Sequence, residues 1–247
     1  MPELHPDAEL APRHIVAKGI LAQDGAWLDA THLGAQRLED EFPTVLRGAR
    51  QYGFDLATEP VPVTPAAHYM VGGVRTDLHG RTSVPGLYAA GEVASTGAHG
   101  ANRMAGNSLS EALVFAARVA GAISAELPDG TGEPSSGPSV TSAPGDDLAD
   151  LRARLREAMW RGCGPVRDAR SLDTARSELA DLVDELGPRS GRREHVELGH
   201  ALRTAQLIVR SATLRRESRG GHWRTDLPER DPLWDGVHVE VIGGRDG

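Results

Sequence analysis

Apolar residues recur at helical spacing in the opening part of the chain. Pro12 suits the first turn of a helix, and the Ile, Val and Leu residues after it form one apolar stripe, which predicts a helix over about residues 11 to 22. A second helical pattern extends over about 34 to 51 and contains Pro43, which we expect to kink the helix. The two helices are expected to form one small layer.

The pattern changes at His68, where short apolar runs alternate with glycine turns and predict short strands. A longer apolar segment begins at Asn107 or Ser108, either of which suits a helix cap, and it predicts a helix that ends at about Leu127. Because this helix is apolar on nearly every side, we expect it to lie inside a large fold.

Glycine, proline and serine dominate residues 128 to 146, a composition typical of a flexible linker. Beyond it, three amphipathic patterns predict helices over about 147 to 161, 168 to 186 and 193 to 217. We expect these helices to pack as an antiparallel bundle, followed by a polar tail from Gly220.

The composition narrows the class of protein. With 27 Lys and Arg against 35 Asp and Glu, the net charge of -8 does not suit phosphate binding, so we expect no nucleic-acid partner. Cys163 is the only cysteine, which excludes an intrachain disulfide and a thiolate metal cluster, and no metal site is expected. No stretch approaches the ~20 apolar residues of a membrane span, and residues 1 to 7 lack the features of a signal peptide. We therefore expect a cytoplasmic protein with no membrane segment.

Residues 85 to 113 combine a strand that ends at Gly91-Glu92, a glycine-bearing loop, and a helix that opens at Asn107. The amino terminus of a helix offers unpaired backbone N–H groups and the positive end of a dipole, which suit an electron-rich oxygen. Glu92 can accept hydrogen bonds from sugar-like hydroxyls, while Gly91 and Gly106 allow a flat ring to approach the backbone. These features indicate a cofactor cleft without identifying the cofactor.

The same segment carries a resemblance to a known family. The runs Gly86-Leu87-Tyr88-Ala89-Ala90-Gly91-Glu92-Val93 and Thr96-Gly97-Ala98-His99-Gly100-Ala101-Asn102-Arg103-Met104-Ala105-Gly106-Asn107-Ser108-Leu109-Ser110-Glu111 closely resemble the second FAD-binding segment of the succinate dehydrogenase, fumarate reductase and L-aspartate oxidase flavoproteins. Similar motifs occur at Glu9-Leu10-Ala11-Pro12-Arg13, at Pro65-Ala66-Ala67-His68-Tyr69 and at Arg216-Glu217-Ser218-Arg219-Gly220. The resemblance covers almost the whole chain and implies FAD as the cofactor.

Within this family, Thr96-Gly97 and Met104 are similar to the L-aspartate oxidases, since the respiratory enzymes usually have Leu at the position of Met104. The chain departs from the family pattern at His14, where Asp usually follows Arg13, and at Ala98, where Leu is common. The resemblance implies that Arg103 and His68 bind the carboxylates of the substrate. It also implies that Arg13 is a second cation across the flavin and a proton donor in the reverse, fumarate-reducing direction. The implied flavin contacts are Glu92, Asn107, Ser108 and Leu109, the last two through backbone N–H groups.

Each role also has a structural alternative. Arg13 alone would be a solvated helix residue, His68 a histidine bonded to backbone at the start of a strand, and the flavin contacts at the helix start plain caps. His99 either touches the substrate or orders its loop. A basic cluster near the end of the chain is expected to pair with nearby acids rather than to bind an anion: Arg215, Arg216, Arg219, His222 and Arg224.

No Gly-x-Gly-x-x-Gly turn, the motif that holds a dinucleotide pyrophosphate, occurs in the chain. We therefore expect an α/β plus all-α protein with an incomplete FAD-binding domain. The expected parts are part of a capping domain over 1 to 64, the carboxy-terminal segment of the FAD-binding domain over 65 to 127, the linker over 128 to 146, and a three-helix bundle with a tail over 147 to 247.

Three hypotheses on function remain. The first is FAD-dependent oxidation of L-aspartate, or another small dicarboxylate, to the imine, with dioxygen or fumarate as electron acceptor, in the first step of NAD biosynthesis. The chain would then be a truncated oxidase, or its amino-terminal FAD-binding half would be a separate polypeptide that activity requires. The second is a soluble fumarate reductase or succinate dehydrogenase flavoprotein. The third is a non-catalytic remnant or an interaction module built on the helical bundle.

Overall fold

A computed structural model of the chain describes residue 3 and residues 5–126, 148–188 and 191–243. These residues belong to two compact units, Met1–His68 and Tyr69–Gly247. The linker expected over 128 to 146 lies outside the described residues.

The first unit combines short helices with a small antiparallel sheet. Its core is formed by Leu38, Leu46 and Leu56 together with Ala30. The helices are α1 (Arg13–Leu21), α2 (Ala35–Glu41) and α3 (Pro43–Gln51), and the paired strands are β1 (Ala26–Leu28) and β2 (Val61–Val63). The helix expected over 11 to 22 is therefore present as α1.

The helix expected over 34 to 51 is divided at Phe42, whose φ of -132° and ψ of 43° are not helical. Proline cannot donate the backbone hydrogen bond that a helix interior needs, but it is well suited to the first turn, where that donor has no partner. Pro43 accordingly begins α3. The expectation of a kink was wrong, because the proline starts a new helix.

The second unit begins with short extended segments. Strands β3 (Val74–Arg75) and β4 (Ala94–Ser95) form a parallel pair, and Arg81 pairs with Tyr88 in an isolated bridge. The side chains of Arg81 and Tyr88 both contact Glu126, at the end of helix α4 (Asn107–Glu126). The Arg81–Tyr88 bridge is thus tied to the far end of α4.

Helix α4 is much more exposed than the sequence predicts. Glu111, Phe115 and Ala122 are buried, but Leu109 and Leu113 are 76% and 73% exposed. By length and composition the helix is sufficient to cross a membrane, so the expectation that no stretch approaches a span was wrong. Ionisable residues are rare in membrane spans, and α4 contains the buried Glu111 in its second turn.

Three long helices form the main core of the second unit. They are α5 (Ala149–Cys163), α6 (Ala169–Leu186) and α7 (Arg193–Leu214). Leu172, Leu179 and Leu198 are each 0% exposed within this core. A capping box fixes the start of α6, since Ser171 N–H donates to Asp168 Oδ1 over 2.7 Å and Asp168 N–H donates to Ser171 Oγ over 3.0 Å.

The segment after α7 is folded around Glu217, whose side chain is 0% exposed. Arg215 Nη1 and Arg219 Nε each donate to Glu217 Oε1 over 2.7 Å, and Asp231 N–H donates to Oε2 over 3.0 Å. The hydrogen bond from Arg219 is the main reason why the pKa of Glu217 is lowered to about 2. Arg224 pairs in the same way with Asp226 at 2.7 Å. The expected pairing of the basic cluster with nearby acids is therefore present at these three arginines.

Candidate functional site

The loop between β4 and α4 leaves open space next to its backbone. Gly97, Gly100 and Gly106 have φ values of +85°, +54° and +86°, which favour glycine. No atom lies within 4 Å of the position that a Cβ would take at any of the three. A flat ligand can therefore approach this backbone closely.

The loop leads directly into the amino terminus of α4. Asn107 is the first residue of the helix, rather than the residue before it as expected, and Ser108 and Leu109 follow in the first turn. The first N–H groups of a helix have no partner inside the helix and carry the positive end of its dipole. The loop and the helix start thus offer donors on an accessible surface.

Glu92 lies in a short 3-10 helix, Gly91–Val93, immediately before β4. Its carboxylate is exposed, and Oε1 accepts a hydrogen bond from the backbone N–H of Met70 over 2.8 Å. This contact fixes the side chain without burying it. Glu92 is therefore held in a position where a ligand hydroxyl can reach it.

Arg103 is half-buried in the loop. Its guanidinium lies 4.9 Å from the centroid of the Tyr69 ring, a distance suited to a cation–π interaction, and Nη1 donates to the carbonyl oxygen of Met104 over 3.3 Å. Arg103, Glu92 and the start of α4 all belong to the second unit.

The other two expected site residues belong to the first unit. The guanidinium of Arg13 donates to the carbonyl oxygens of Glu9 and Ala11 over 2.6 and 2.7 Å, so it folds back on the turn that precedes α1. His68 is exposed and is the last residue of the unit.

Glu111 is a polar residue to which the sequence analysis assigned no role, although it ends the run that resembles the family. Its side chain is 4% exposed, Oε1 accepts a hydrogen bond from Thr96 Oγ1 over 2.6 Å, and Oε2 lies 3.4 Å from His99 Nε2. The signal in the sequence was a single glutamate in the first half of an apolar helix. The side chain of His99 is 8% exposed and faces a carboxylate of the protein, which favours the interpretation that it orders the loop.

The comparison with known proteins starts from family profiles. The FAD binding domain matches residues 1–109, and the domain described as fumarate reductase flavoprotein C-term matches residues 152–235. An L-aspartate oxidase from Rhodospirillum rubrum is 47% identical over 240 residues, which cover 94% of this chain and 83% of that relative. The chain belongs to the L-aspartate oxidase family. FAD is the cofactor of this flavoprotein family.

Longer members of the L-aspartate oxidase family and a solved structure extend the comparison. The L-aspartate oxidase of Streptomyces coelicolor is 45% identical over 96% of this chain, which spans only 44% of that relative. The structure of E. coli quinol fumarate reductase matches with a TM-score of 0.75 and 32% identity, over 91% of this chain and 45% of that one. The chain thus spans about half the length of these two proteins.

The residues at the loop fit the FAD of the L-aspartate oxidase family in their chemistry. The open space beside the three loop glycines accommodates a planar ring. Ser108 and Leu109 lie in the first turn of α4, where backbone N–H groups have no intrahelical partner and suit the electron-rich edge of a flavin. Glu92 is an acceptor for hydroxyl groups. The donor set and the space are both consistent with the cofactor.

Proposed function

We propose that this chain is the substrate-facing part of an L-aspartate oxidase, which oxidises L-aspartate to iminoaspartate in the first step of NAD biosynthesis. Dioxygen or fumarate is the electron acceptor. The observation that carries the proposal is the cation–π contact that holds the half-buried Arg103 against Tyr69, in the loop whose glycines leave open space beside the backbone. A guanidinium in a fixed orientation can bind a carboxylate through two parallel hydrogen bonds.

Arg103 and His68 are proposed to bind the two carboxylates of the substrate, and Arg13 to supply a second cation and the proton for fumarate reduction. A dicarboxylate needs charge fixed at both ends before its Cα–H can be directed at an acceptor. The assignments of Arg13 and His68 are supported by their motifs, and that of Arg103 also by its cation–π contact. L-aspartate is the proposed substrate, with other small dicarboxylates as competitors.

FAD is proposed to be held by Glu92, by Asn107 and by the backbone N–H groups of Ser108 and Leu109. When bound, FAD supplies the acceptor for the two electrons removed from the substrate. The residues of this chain orient the substrate, stabilise charge at the start of α4 and keep the loop accessible.

We propose the same domain boundaries that the sequence pattern predicts. Residues 1 to 64 would be part of a capping domain, 65 to 127 the end of an FAD-binding domain, and 147 to 247 the helical bundle with its tail. A separate amino-terminal FAD-binding half is the proposed partner, and the exposed apolar residues of α4 support this association. We place the assembly in the cytoplasm, where the single Cys163 requires no oxidation.

The decisive experiment compares the chain alone with the chain co-expressed with an amino-terminal half that contains Gly-x-Gly-x-x-Gly. We expect no stoichiometric FAD in the absorption spectrum of the chain alone. The assembly should bind flavin and release peroxide when L-aspartate is added. Stoichiometric flavin on the chain alone would contradict the need for a partner, and peroxide without flavin would contradict the mechanism.

A fumarate reductase or succinate dehydrogenase flavoprotein is the second candidate, and the similarity to the E. coli quinol fumarate reductase supports it. Rates of fumarate reduction and of aspartate-dependent peroxide formation, measured on the same assembly, separate the two. If the assembly binds neither flavin nor a dicarboxylate, the third hypothesis, a non-catalytic remnant or interaction module, takes their place.

A further inference from the structure

Glu111 is an unusual residue for an apolar helix. A carboxylate that leaves water must be compensated by hydrogen bonds or by a positive charge. Glu111 receives the hydroxyl of Thr96 at 2.6 Å on one oxygen and faces His99 Nε2 at 3.4 Å with the other. Both contacts go to the loop that carries Arg103, so the helix is joined to the loop through this carboxylate.

His99, which lies next to Glu111, also contacts Tyr69. Its imidazole lies edge-on to the ring of Tyr69, with the centroids 5.4 Å apart and the planes at 89°. This T-shaped arrangement is favourable for two aromatic rings and restricts the rotation of both. Tyr69 also contacts Arg103, whose guanidinium lies 4.9 Å from the centroid of the Tyr69 ring.

We propose that Glu111 and His99 are positioning residues that hold Tyr69, and through it the Arg103 guanidinium, in the orientation that binds a substrate carboxylate. This inference rests on the proposed function of Arg103. The long arginine side chain loses rotamer freedom when it binds a ligand, and a side chain that is already oriented loses less. Removal of the buried pair therefore weakens substrate binding without removing any group that touches the substrate.

The first test observes Arg103 in the chain itself. The full chain is labelled with isotope-enriched arginine, and the Nε–Hε signal of Arg103 is assigned by its loss in Arg103→Lys. We expect Glu111→Gln and His99→Gln to move this signal toward the position of solvent-exposed arginines, because the Tyr69 ring no longer shifts it. Glu126→Gln, at the exposed end of the same helix, is the matched control and should leave the signal in place.

An Arg103 signal that stays unchanged in both variants overturns the inference. If Glu111→Gln does not fold, Thr96→Val takes its place, since it removes only the hydroxyl that Glu111 accepts. We expect this variant to shift the Arg103 signal in the same direction by a smaller amount, and no shift would be equally damaging. Glu111→Asp keeps the charge and should restore part of the parent position.

The second test measures succinate binding to the FAD-loaded assembly by calorimetry. Glu111→Gln should weaken binding about tenfold, the order expected when a binding group is displaced. In an Arg103→Lys background the same change should cost less than about twofold, because it acts through Arg103. Equal losses in both backgrounds would refute positioning.

The two proposals fail in different ways. If Arg103→Lys leaves succinate binding unchanged, the proposed function of Arg103 is wrong, while the arginine signal still decides whether Glu111 positions it. If Arg103→Lys weakens binding but Glu111→Gln does not, only the positioning inference is wrong.

Discussion

Gly221 donates its backbone N–H to the carbonyl oxygen of Ala101 over 3.1 Å. This hydrogen bond joins the segment after α7 to the loop that carries Arg103, two regions more than a hundred residues apart in the sequence. The neighbouring Gly220, with a φ of +56°, lies so close to Ala101 that a Cβ would collide with its carbonyl group. The segment after α7 therefore packs against the loop of the candidate site at Ala101.

Gly220→Ala tests this close approach. We expect the free energy of unfolding to fall by about 2–3 kcal/mol, because a Cβ adds a backbone collision to the strain of a positive φ. Urea unfolding measures the change. Gly236→Ala is the control, since Gly236 has a φ of +71° but open space around it, and it should cost only about 1 kcal/mol. Equal losses in the two variants would show that the contact with Ala101 contributes nothing.

Glu217→Gln removes the buried negative charge that Arg215, Arg219 and the backbone of Asp231 contact in the segment after α7. Loss of one partner from a buried ion pair leaves the remaining charges without compensation, so we expect destabilisation of about 3 kcal/mol in urea unfolding at neutral pH. The matched control is Glu157→Gln, whose exposed pair with Arg161 should contribute less than about 0.5 kcal/mol.

The same carboxylate should make the fold sensitive to acid. The pKa of Glu217 is lowered to about 2 in the folded chain, so its stabilising effect is complete above the ordinary glutamate range and is lost as the pH falls toward 2. The parent should therefore lose its stability advantage over Glu217→Gln across this acidic range. An advantage that persists at pH 2 would contradict the assignment.

His222 predicts a second pH effect at milder acidity. Burial, followed by the charge of Arg167, lowers the pKa of His222 to about 4, and its Nε2 lies 3.2 Å from the carbonyl oxygen of Arg215. Between the ordinary histidine pKa of ~6.5 and about 4, protons bind the unfolded chain in preference to the folded one, so stability falls as the pH falls.

His222→Gln should reduce this loss, since glutamine keeps a donor for the Arg215 carbonyl but does not titrate. We expect the difference in unfolding free energy between pH 7 and pH 5 to shrink by about 1 kcal/mol, after allowance for partial exposure of the ring. His238→Gln serves as a control near the end of the described chain. The same pH dependence in parent and His222→Gln would rule out this origin.

Leu113→Glu tests the exposed apolar surface of α4. Because Leu109 and Leu113 are neighbours on one helical face and both largely exposed, we expect the chain alone to self-associate. The substitution should shift the sedimentation profile toward the monomer. Leu233→Glu, at a leucine that is 85% exposed but outside α4, should not. A parent chain that sediments only as a monomer would argue against an association surface here.

Local pattern was sufficient to predict most helices. The spacing of apolar residues placed α1 and α4–α7 within a few residues of their observed ends, because each helix buries or presents a continuous stripe. The motif around Arg103 likewise predicts a candidate site, since its glycines and the helix start are consecutive in sequence. These features depend on short-range geometry.

Other features depend on partners distant in sequence and were not predictable. The contact of Glu111 with Thr96 depends on how the loop folds back on α4. The Glu217 contacts depend on Asp231, whose backbone N–H returns to Glu217, and on Asp235, which pairs with Arg219. The break at Phe42 followed from the position of Pro43 within a turn, which periodicity alone does not resolve. Exposure of α4 depends on what packs against it, which a pattern of apolar residues does not specify.

Arg215, which donates to Glu217, also stacks on Trp234, with the guanidinium 4.7 Å from the ring centroid. An intrinsic fluorophore therefore lies next to the ion pairs of Glu217. A charged group over an indole alters its emission, so release of the tail should change the colour and intensity of the Trp234 signal. The difference between the parent and Trp234→Phe isolates that signal from the other tryptophans. Opening of the tail can thus be followed optically in real time, without any added label.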